Sequence, residues 1–248
     1  MKVNEIIQIM EKHYPLEIQE EWDRCGLQVG DRNQEVNKIM IALNADSYTL
    51  QEAIDHGCNM LITHHPFLLD KFENIDRDHF MGDFIYKAID NKISVYSAHT
   101  SLDKVSMNNW LIEKLDVEDI ENGEASGVSK MATLKEPLLF DDFINKVKMV
   151  YENDHIKYAG KVEKISKVAI CGGSGAEYLK EYVGKVDAYI TGDTKYPNAK
   201  YAFDHHILLV DIGHHAESIM ISKLKELLSK EIDLEIIESQ AKDYYSYE

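Results

Sequence analysis

The amino-acid sequence predicts an α/β protein made of two similar lobes. Short apolar runs typical of buried strands alternate with segments of helical spacing along the whole chain. The 248 residues suffice for one large domain or for two domains of about 120 residues each. The stretch 121–127 is small, polar and glycine-containing, which is typical of a linker. We therefore expect a first α/β lobe over residues 1–125 and a second over residues 126–248.

The first lobe is predicted to begin with an amphipathic helix and to continue with three strands. Residues 3–10 have helical spacing, and Pro15 ends that segment. The sequence Thr49-Leu-Gln-Glu52 has the form of a capping box, so a helix is expected to begin there and to end near Gly57. The other predicted elements of this lobe are strands 38–45, 59–65 and 93–99 and helices 79–91 and 108–115.

The second lobe repeats the alternation of strands and helices. Its predicted strands are 130–134, 155–159, 166–172, 187–192, 207–213 and 234–239, and its predicted helices are 140–152, 176–183, 197–205 and 216–231. A shift of 128 residues aligns Ile41-Ala-Leu-Asn44 with Ala169-Ile-Cys-Gly172, and Met60-Leu-Ile-Thr63 with Ala188-Tyr-Ile-Thr191. This similarity indicates either an internal duplication or the general appearance of α/β units.

Charge and cysteine content restrict the partners and the compartment. The chain has 27 Lys and Arg against 44 Asp and Glu, a formal net charge of −17, and its lysines are scattered among acidic residues. Such a surface repels nucleic acid and anionic membranes. The sequence contains no apolar run of about 18–20 residues that could span a membrane, and its N-terminus lacks the pattern of a signal peptide. Three widely spaced cysteines argue against a disulfide framework, so we expect a cytoplasmic protein.

Histidine pairs are the most unusual feature of the composition. Six of the eleven histidines form three adjacent pairs, where chance predicts about 0.5 pairs. His64-His65 follows a predicted strand, and Pro66 fixes the direction in which the chain leaves it. Two adjacent imidazoles can serve one site where a strand ends, and imidazole is a common metal ligand. The alternative is a pair of loop histidines without a ligand role. The pair at positions 205 and 206 ends a predicted helix and is interpreted as structural.

Two further segments place carboxylates and a histidine at predicted strand ends. Asp103 lies just past the third strand, and His214 and Glu217 are three residues apart at a predicted helix start, where they face the same way. Turn-forming or capping roles are the alternatives. Together with the first pair, these residues give three imidazoles and two carboxylates. That set exceeds one tetrahedral zinc site and suits two metal ions about 3.5–4 Å apart.

The loop Gly172-Gly-Ser-Gly175 joins a predicted strand to a predicted helix. A loop of this kind can bind phosphate through its backbone N–H groups, but it lacks both the P-loop and the dinucleotide-binding patterns. We therefore favour a tight turn over a phosphate site.

Six blocks along the chain resemble the GTP cyclohydrolase 1 type 2 homolog family, the Nif-three-like proteins, in its short bacterial form. They occur in the family's order over about residues 5–240 and are Glu21-Trp-Asp23 with Gly26–Asp31, Ile62–Pro66, Ser97–Asp103, Gly172–Gly175, Tyr189–Gly192 and Gly213–Glu217. The resemblance implies two similar lobes with a dinuclear metal site between them and a homohexameric ring. Asn44, Arg24 and Ser101 depart from the residues that are usual in the family.

The resemblance also implies the roles of individual residues. The implied ligands of two divalent metal ions are His64, His65, Asp103, His214 and Glu217, and His99 is the implied catalytic residue for proton transfer or a further ligand. The identity of the metal stays open among zinc, iron, manganese, nickel and cobalt.

Three functions compete on this basis. The first is a metal-dependent hydrolase of the GTP cyclohydrolase type, in which water attacks the guanine ring of GTP, or a related nucleotide or phosphoester hydrolase. Its substrate would be a small anion such as a nucleotide. The second is a metal-handling or regulatory protein without turnover, and the third is a scaffold whose metals are structural.

Overall fold

The computed structural model describes residues 1–69, 74–124 and 126–246, and these form two compact units. The first comprises Met1–Leu102 and Met220–Tyr244, and the second consists mainly of Asp103–Ile219. The chain therefore leaves the first unit after Leu102 and returns to it after Ile219. These bounds differ from the predicted division after residue 125, and Ala125 of the predicted linker lies outside the described residues.

The first unit contains a five-stranded sheet in the order β1-β4-β3-β2-β11. Strands β11, β2, β3 and β4 run parallel to one another, and β1 pairs antiparallel with β4. The bounds are β1 Gly26–Val29, β2 Lys38–Ala42, β3 Met60–Thr63, β4 Ser94–Ser97 and β11 Glu235–Glu238. Every residue of β3 and β4 is buried, as expected for inner strands of a largely parallel sheet.

Helices of the first unit follow the sequence pattern closely. They are α1 Val3–His13, α2 Ser47–Asp55, α3 Phe80–Asp90, the short α4 Thr100–Leu102 and α9 Ile219–Leu228. All residues of α9 except the first belong to this unit. The predicted capping box of α2 is wrong by three residues. Asp46 is the N-cap, and its Oδ1 accepts a hydrogen bond of 2.8 Å from the backbone N of Thr49. The helix begins earlier than predicted because the Asp46 carboxylate already accepts a hydrogen bond from a backbone N–H of the first turn.

The second unit contains a six-stranded sheet in the order β5-β6-β8-β9-β10-β7. Strands β8, β9 and β10 are parallel, while β5, β6 and β7 pair antiparallel with their neighbours. The bounds are β5 Val117–Asn122, β6 Lys130–Leu139, β7 Lys157–Ala159, β8 Lys164–Ile170, β9 Ala188–Thr191 and β10 Leu208–Asp211. In each sheet three strands that follow one another in the chain, β2-β3-β4 and β8-β9-β10, run parallel, and an antiparallel strand pairs with the third.

The helices of the second unit include two irregular starts. A π-helical stretch, Asp103–Met107, precedes α5 Asn108–Glu113, and a 3-10 turn, Ala176–Tyr178, precedes α7 Leu179–Tyr182. The other helices are α6 Phe140–Val150 and α8 Tyr196–Asp204, and the 3-10 helix His214–Ser218 leads into α9.

Each sheet packs its helices over an apolar core of its own. In the first unit Phe84 on α3 is buried and stacks on Phe67, with ring centroids 4.0 Å apart. Burying a side chain of this size contributes about 1.5–3 kcal/mol. In the second unit the buried rings of Tyr182 and Tyr189 stack with centroids 5.0 Å apart. These apolar cores stabilise the two sheets, and polar groups lie at the ends of the strands.

Two strands escape prediction. Strand β1 has four residues and begins at Gly26, whose φ of +103° is unusual for a strand. Strand β5 is almost entirely exposed and carries charged residues, so it lacks an alternating apolar pattern. Its end at Asn122 overlaps the predicted linker. Both strands are fixed by pairing with a neighbour rather than by local sequence preference.

Across the part of the chain that the structure describes, each helix is too short or too polar to cross a membrane.

Candidate metal centre

In the first unit, three histidines lie just past the carboxyl ends of β3 and β4. Strand β3 ends at Thr63, so His64 and His65 occupy the turn that follows, and His99 lies two residues past the end of β4. The hydroxyls of Thr63 and Ser97 lie 2.8 Å apart and join the two strand ends. The Thr63 hydroxyl also donates to the backbone O of His65. The loop geometry of the pair is therefore set by the strand ends.

The rings of these three histidines lie close together. The centroid distances are 4.7 Å for His64 and His65, 5.0 Å for His64 and His99, and 5.5 Å for His65 and His99. One nitrogen from each ring lies within 4.8 Å of the other two, which is a spacing that could hold a metal ion. His64 is fully buried.

Hydrogen bonds decide which nitrogen each ring presents. Nδ1 of His64 lies 3.1 Å from the backbone O of Ala98, and Nδ1 of His65 lies 2.7 Å from Oδ1 of Asn44. Because both acceptors are oxygens, Nδ1 carries the proton in each ring. A protonated nitrogen cannot ligate, so Nε2 is the nitrogen that could coordinate a metal.

The third histidine has a charged acceptor. Nδ1 of His99 lies 2.9 Å from Oδ1 of Asp23, whose side chain is fully buried. Burial by itself would raise the pKa of Asp23. The hydrogen bond and charge of His99 and the hydrogen bonds from Thr100 outweigh it and hold this pKa well below the usual range. Asp23 is therefore a carboxylate at neutral pH.

In the second unit, the 3-10 helix after β10 places His214 beside Glu217. Nε2 of His214 lies 3.1 Å from Oε2 of Glu217, and Nδ1 lies 2.6 Å from Oδ2 of Asp193. The hydrogen bond to Glu217 raises the pKa of His214 most, burial opposes it, and the charges of both carboxylates add to the rise, to about 9. A cation is thus favoured at this position.

Asp103 and Glu217 form a pair of buried carboxylates in the same unit. Asp103 is 9% exposed and Glu217 is 3% exposed. An oxygen of one lies within 4.8 Å of an oxygen of the other. Two buried carboxylates at this distance repel each other unless a proton or a cation lies near them.

The glycine loop after β8 accommodates Glu217. A Cβ on Gly173 would lie 2.5 Å from Oε1 of Glu217, and Gly173 has a φ of +57°. A Cβ on Gly172 would lie 3.2 Å from the same oxygen. Asn108 holds the loop by accepting a hydrogen bond of 2.7 Å from the backbone N of Gly172. The glycines are therefore needed for close approach of the carboxylate.

The donor set fits divalent metal ions. It consists of imidazoles fixed through Nδ1 and of buried carboxylates, which are the usual ligands of borderline metal ions. The buried thiol of Cys171 differs, because burial raises its pKa well above the usual value and the charges of Asp103 and Glu217 raise it further. A neutral thiol is a poor ligand.

Sequence reasoning missed the hydrogen-bond partners of the histidines. Asn44, Asp23 and Asp193 orient His65, His99 and His214. Asp193 follows strand β9, so its position just past a strand end could have identified it from the sequence. The contacts of Asn44 and Asp23 could not be identified in this way, because they join distant parts of the sequence. The pair interpreted as structural ends helix α8: His205 is its C-cap, and its ring stacks on Tyr201 at 3.9 Å.

Curated relatives match the chain over most of its length. A GTP cyclohydrolase 1 type 2 homolog from Clostridium acetobutylicum is 34% identical over 246 residues, covering 93% of this chain and 92% of its own. A protein of the same name from Methanocaldococcus jannaschii is 32% identical, with coverage of 96% and 98%. A Helicobacter pylori protein named GTP cyclohydrolase 1 type 2 is 31% identical, with coverage of 86% and 85%.

Solved structures share the fold over the whole chain. Staphylococcus aureus protein SA1388 superposes with a TM-score of 0.92 at 25% identity and covers 100% of this chain and 99% of its own. Reduced HcgD from Methanocaldococcus jannaschii superposes with a TM-score of 0.88 at 30% identity, with coverage of 97% and 98%. A model of the Duf34/NIF3 family (NGG1p interacting factor 3) matches residues 1–244. The chain therefore belongs to the Duf34/NIF3 family.

Proposed function

We propose that the protein binds two divalent metal ions and hydrolyses a nucleotide-type substrate by GTP cyclohydrolase chemistry. The observation that carries this proposal is the set of hydrogen bonds at the candidate histidines. The Nδ1 atoms of His64 and His65 each contact an uncharged oxygen acceptor, which supports metal binding through Nε2. Nδ1 of His214 contacts Asp193, and its Nε2 lies 3.1 Å from Glu217, where a metal ion could replace the proton between the two proposed ligands. Relatives of similar length carry the name GTP cyclohydrolase 1 type 2 homolog, which supports the reaction type.

The proposed metal ligands are the five residues identified from sequence. These are His64, His65, Asp103, His214 and Glu217. The set offers more donors than one tetrahedral ion accepts, and a carboxylate can bridge two ions about 3.5–4 Å apart. Two divalent cations and two carboxylates give a formal charge of about +2. A protein with a net charge of −17 could thus attract an anionic nucleotide locally.

His99 is the proposed catalytic residue for proton transfer. Its acceptor is the carboxylate of Asp23, whereas His64 and His65 contact uncharged oxygens. A carboxylate partner stabilises the imidazolium that forms when a ring accepts a proton. Bound metal ions would supply Lewis-acid activation of water. In the proposed reaction one water adds at C8 of guanine and the imidazole ring opens to a formamide, and a second water hydrolyses this formamide to release formate, while His99 moves protons.

A metal-handling or regulatory role without turnover is the second candidate. One observation favours it: the side chains of His214 and its partner Asp193 are 34% and 39% exposed. A partly exposed ligand gives an acceptor protein or chelator access to the metal. A carrier would release its metal readily and show no metal-dependent turnover.

The proposal includes a homohexameric ring, as the family resemblance implies. Light scattering of the purified protein tests it, with a mass of about six times 28.5 kDa expected.

Metal analysis combined with GTP turnover tests the function. We expect about two metal ions per chain in the purified wild type. The double variant His64→Ala/His65→Ala should lose both the metal and formate release. The matched control is His205→Ala/His206→Ala, which removes another adjacent pair that lies at the end of α8. The control should keep both properties.

Each alternative has its own outcome. Two metal ions without turnover of GTP or generic phosphoesters would favour metal handling. A melted fold after metal removal would favour structural metals. Protein purified without chelators but containing almost no metal would contradict the ligand assignment itself.

A further inference from the structure

The carboxylate of Asp23 is the most heavily hydrogen-bonded side chain beside the histidine cluster of the first unit. Oδ1 accepts from the backbone N of Arg24 at 2.7 Å and from Nδ1 of His99 at 2.9 Å. Oδ2 accepts from the backbone N and hydroxyl of Thr100, at 2.9 and 2.5 Å, and from the thiol of Cys25 at 3.1 Å. Five donors therefore converge on one buried group.

The carboxylate is fixed independently of the imidazole. Four of its five donors come from Arg24, Cys25 and Thr100, so it would keep its place if His99 moved. On another side, the ring of Trp22 meets His99 edge-on, with centroids 5.7 Å apart. The position of Asp23 thus determines that of His99 rather than the reverse.

We propose that Asp23 is a positioning residue that holds the proton of His99 on Nδ1 and so reserves Nε2 for the reaction. This inference rests on the proposed function for the role of His99, but the tautomer itself is a property of the protein alone. The fixed carboxylate also orients the ring of His99 toward the neighbouring rings of His64 and His65.

Replacing Asp23 by asparagine should reverse the tautomer. The amide has one oxygen and one NH₂ group. Its oxygen is expected to take the place of Oδ2, where three donors converge, which puts the NH₂ group opposite Nδ1 of His99. Nδ1 must then accept, and the proton moves to Nε2. The three hydrogen bonds at the Oδ2 position are retained, the backbone N of Arg24 loses its acceptor, and the ring of His99 carries its proton on the other nitrogen.

The test is a long-range ¹H–¹⁵N correlation spectrum of ¹⁵N-histidine-labelled, metal-free full-length protein. It is recorded at a pH at which the ring of His99 is neutral, and His99→Gln assigns its signals. Wild type should show the Nδ1–H tautomer and Asp23→Asn the Nε2–H tautomer. In metal-loaded protein, Asp23→Asn should keep its metal content while kcat for GTP falls by about 10- to 100-fold.

Two control variants separate positioning from general packing. Trp22→Leu removes the edge contact of a side chain that is 58% exposed but keeps the hydrogen bond, so the tautomer should not change. Asp193→Asn changes the partner of His214 in the other unit and should alter only the signals of His214.

A wild-type His99 with its proton on Nε2 would overturn the proposal, even if the asparagine variant failed to fold. An unchanged tautomer in folded Asp23→Asn would overturn it as well. Loss of the proposed function would look different: no turnover in wild type, with the tautomers as expected.

Discussion

The candidate histidines differ in the groups that hold their rings in place. Nδ1 of His64, His65, His99 and His214 is held by an oxygen of the protein. The acceptors differ in kind: a backbone carbonyl, an amide and two carboxylates. Either kind of acceptor fixes the orientation of the ring, and a carboxylate also favours the protonated ring. The rings are therefore chemically unequal although they share one residue type.

Gly173→Ala should displace Glu217 and lower the metal content. The new Cβ would meet Oε1 of Glu217 at 2.5 Å, and alanine is strained at the φ of +57°. The strain alone should lower the free energy of unfolding by about 1–3 kcal/mol. Plasma emission spectrometry of the purified variant measures the metal.

The matched control for this variant is Gly184→Ala. Gly184 has a φ of +75°, but nothing lies within 4 Å of a Cβ added there. It should show a similar loss of stability with normal metal content. Equal metal in both variants would show that the glycine loop does not govern the position of Glu217.

The candidate ligands could be identified from the sequence, but their hydrogen-bond partners could not. Adjacent histidines and carboxylates after strands are local signals, so His64, His65, Asp103 and Glu217 could be named from spacing. The contacts of Asp23 with His99 and of Asn44 with His65 join positions 76 and 21 residues apart. Only the order of strands in the sheet brings such pairs together.

At the scale of elements, buried strands are easiest to predict and exposed ones hardest. All residues of β3, β4, β9 and β10 are buried, and all four strands were expected from continuous apolar runs. The exposed β5 was not predicted because its charged residues carry no pattern, and only its last two residues fell within the predicted linker 121–127. The longer helices were predicted correctly, with ends that differ by a few residues, whereas the short α4 and the π-helical stretch that follows it were not predicted.

Asp46→Ala should destabilise helix α2. It removes the acceptor for the backbone N of Thr49, a loss of about 0.5–2 kcal/mol. Urea denaturation followed by circular dichroism measures the change. Asp46 also accepts a hydrogen bond from Tyr244, so Tyr244→Phe is the matched control. A loss of the same size in both variants would assign the effect to the tyrosine contact instead of the cap.

Asp211 should make the second unit sensitive to acid. Burial would raise its pKa. Hydrogen bonds from Lys157, from the backbone N and hydroxyl of Thr194 and from the backbone N of Gly213 more than offset this and lower it below 3.8. A lowered folded-state pKa gives stability that is fully present above the unfolded-state value and lost as the pH falls through the folded-state value. Stability should therefore fall from about pH 4 downward.

Asp211→Asn tests this sensitivity. The variant should be less stable than wild type at pH 7, and the difference should shrink at about pH 3, as urea denaturation at both pH values would show. Asp204→Asn is the control, because Asp204 also has a lowered pKa but pairs with Lys200 on the exposed surface. A difference between wild type and Asp211→Asn that is constant with pH would contradict the assignment.

At the scale of the whole molecule, the first unit is discontinuous. Strand β11 comes from residues 235–238 and pairs in parallel with β2 at the edge of the first sheet. Ser239 and Gln240 then donate to Glu52 on α2 at 2.5 and 2.8 Å. A division in the middle of the chain cannot describe this arrangement, since no local signal tells which sheet a strand will join.

A chain that ends at Lys230 should lose the edge strand and become unstable. Without β11, the backbone groups of β2 lose their partners and form an open edge that promotes aggregation. Size-exclusion chromatography and thermal unfolding measure both effects. A chain that ends at Lys242 keeps β11 and the contacts to Glu52 and should remain stable. Equal behaviour of the two truncated chains would show that β11 is dispensable.

Because the first unit is formed by two separate segments of the chain, its last strand is synthesised long after the others. A ribosome that adds about 5–20 residues per second completes Asp103–Ile219, the main segment of the second unit, while the first unit still lacks β11. From Leu102 to Glu238 the ribosome adds 136 residues, which takes about 7–27 s. During that time the nascent chain carries an open edge at β2. Factors that shield such edges on the ribosome would therefore raise the yield of this protein, and slow codons between positions 219 and 238 would lower it.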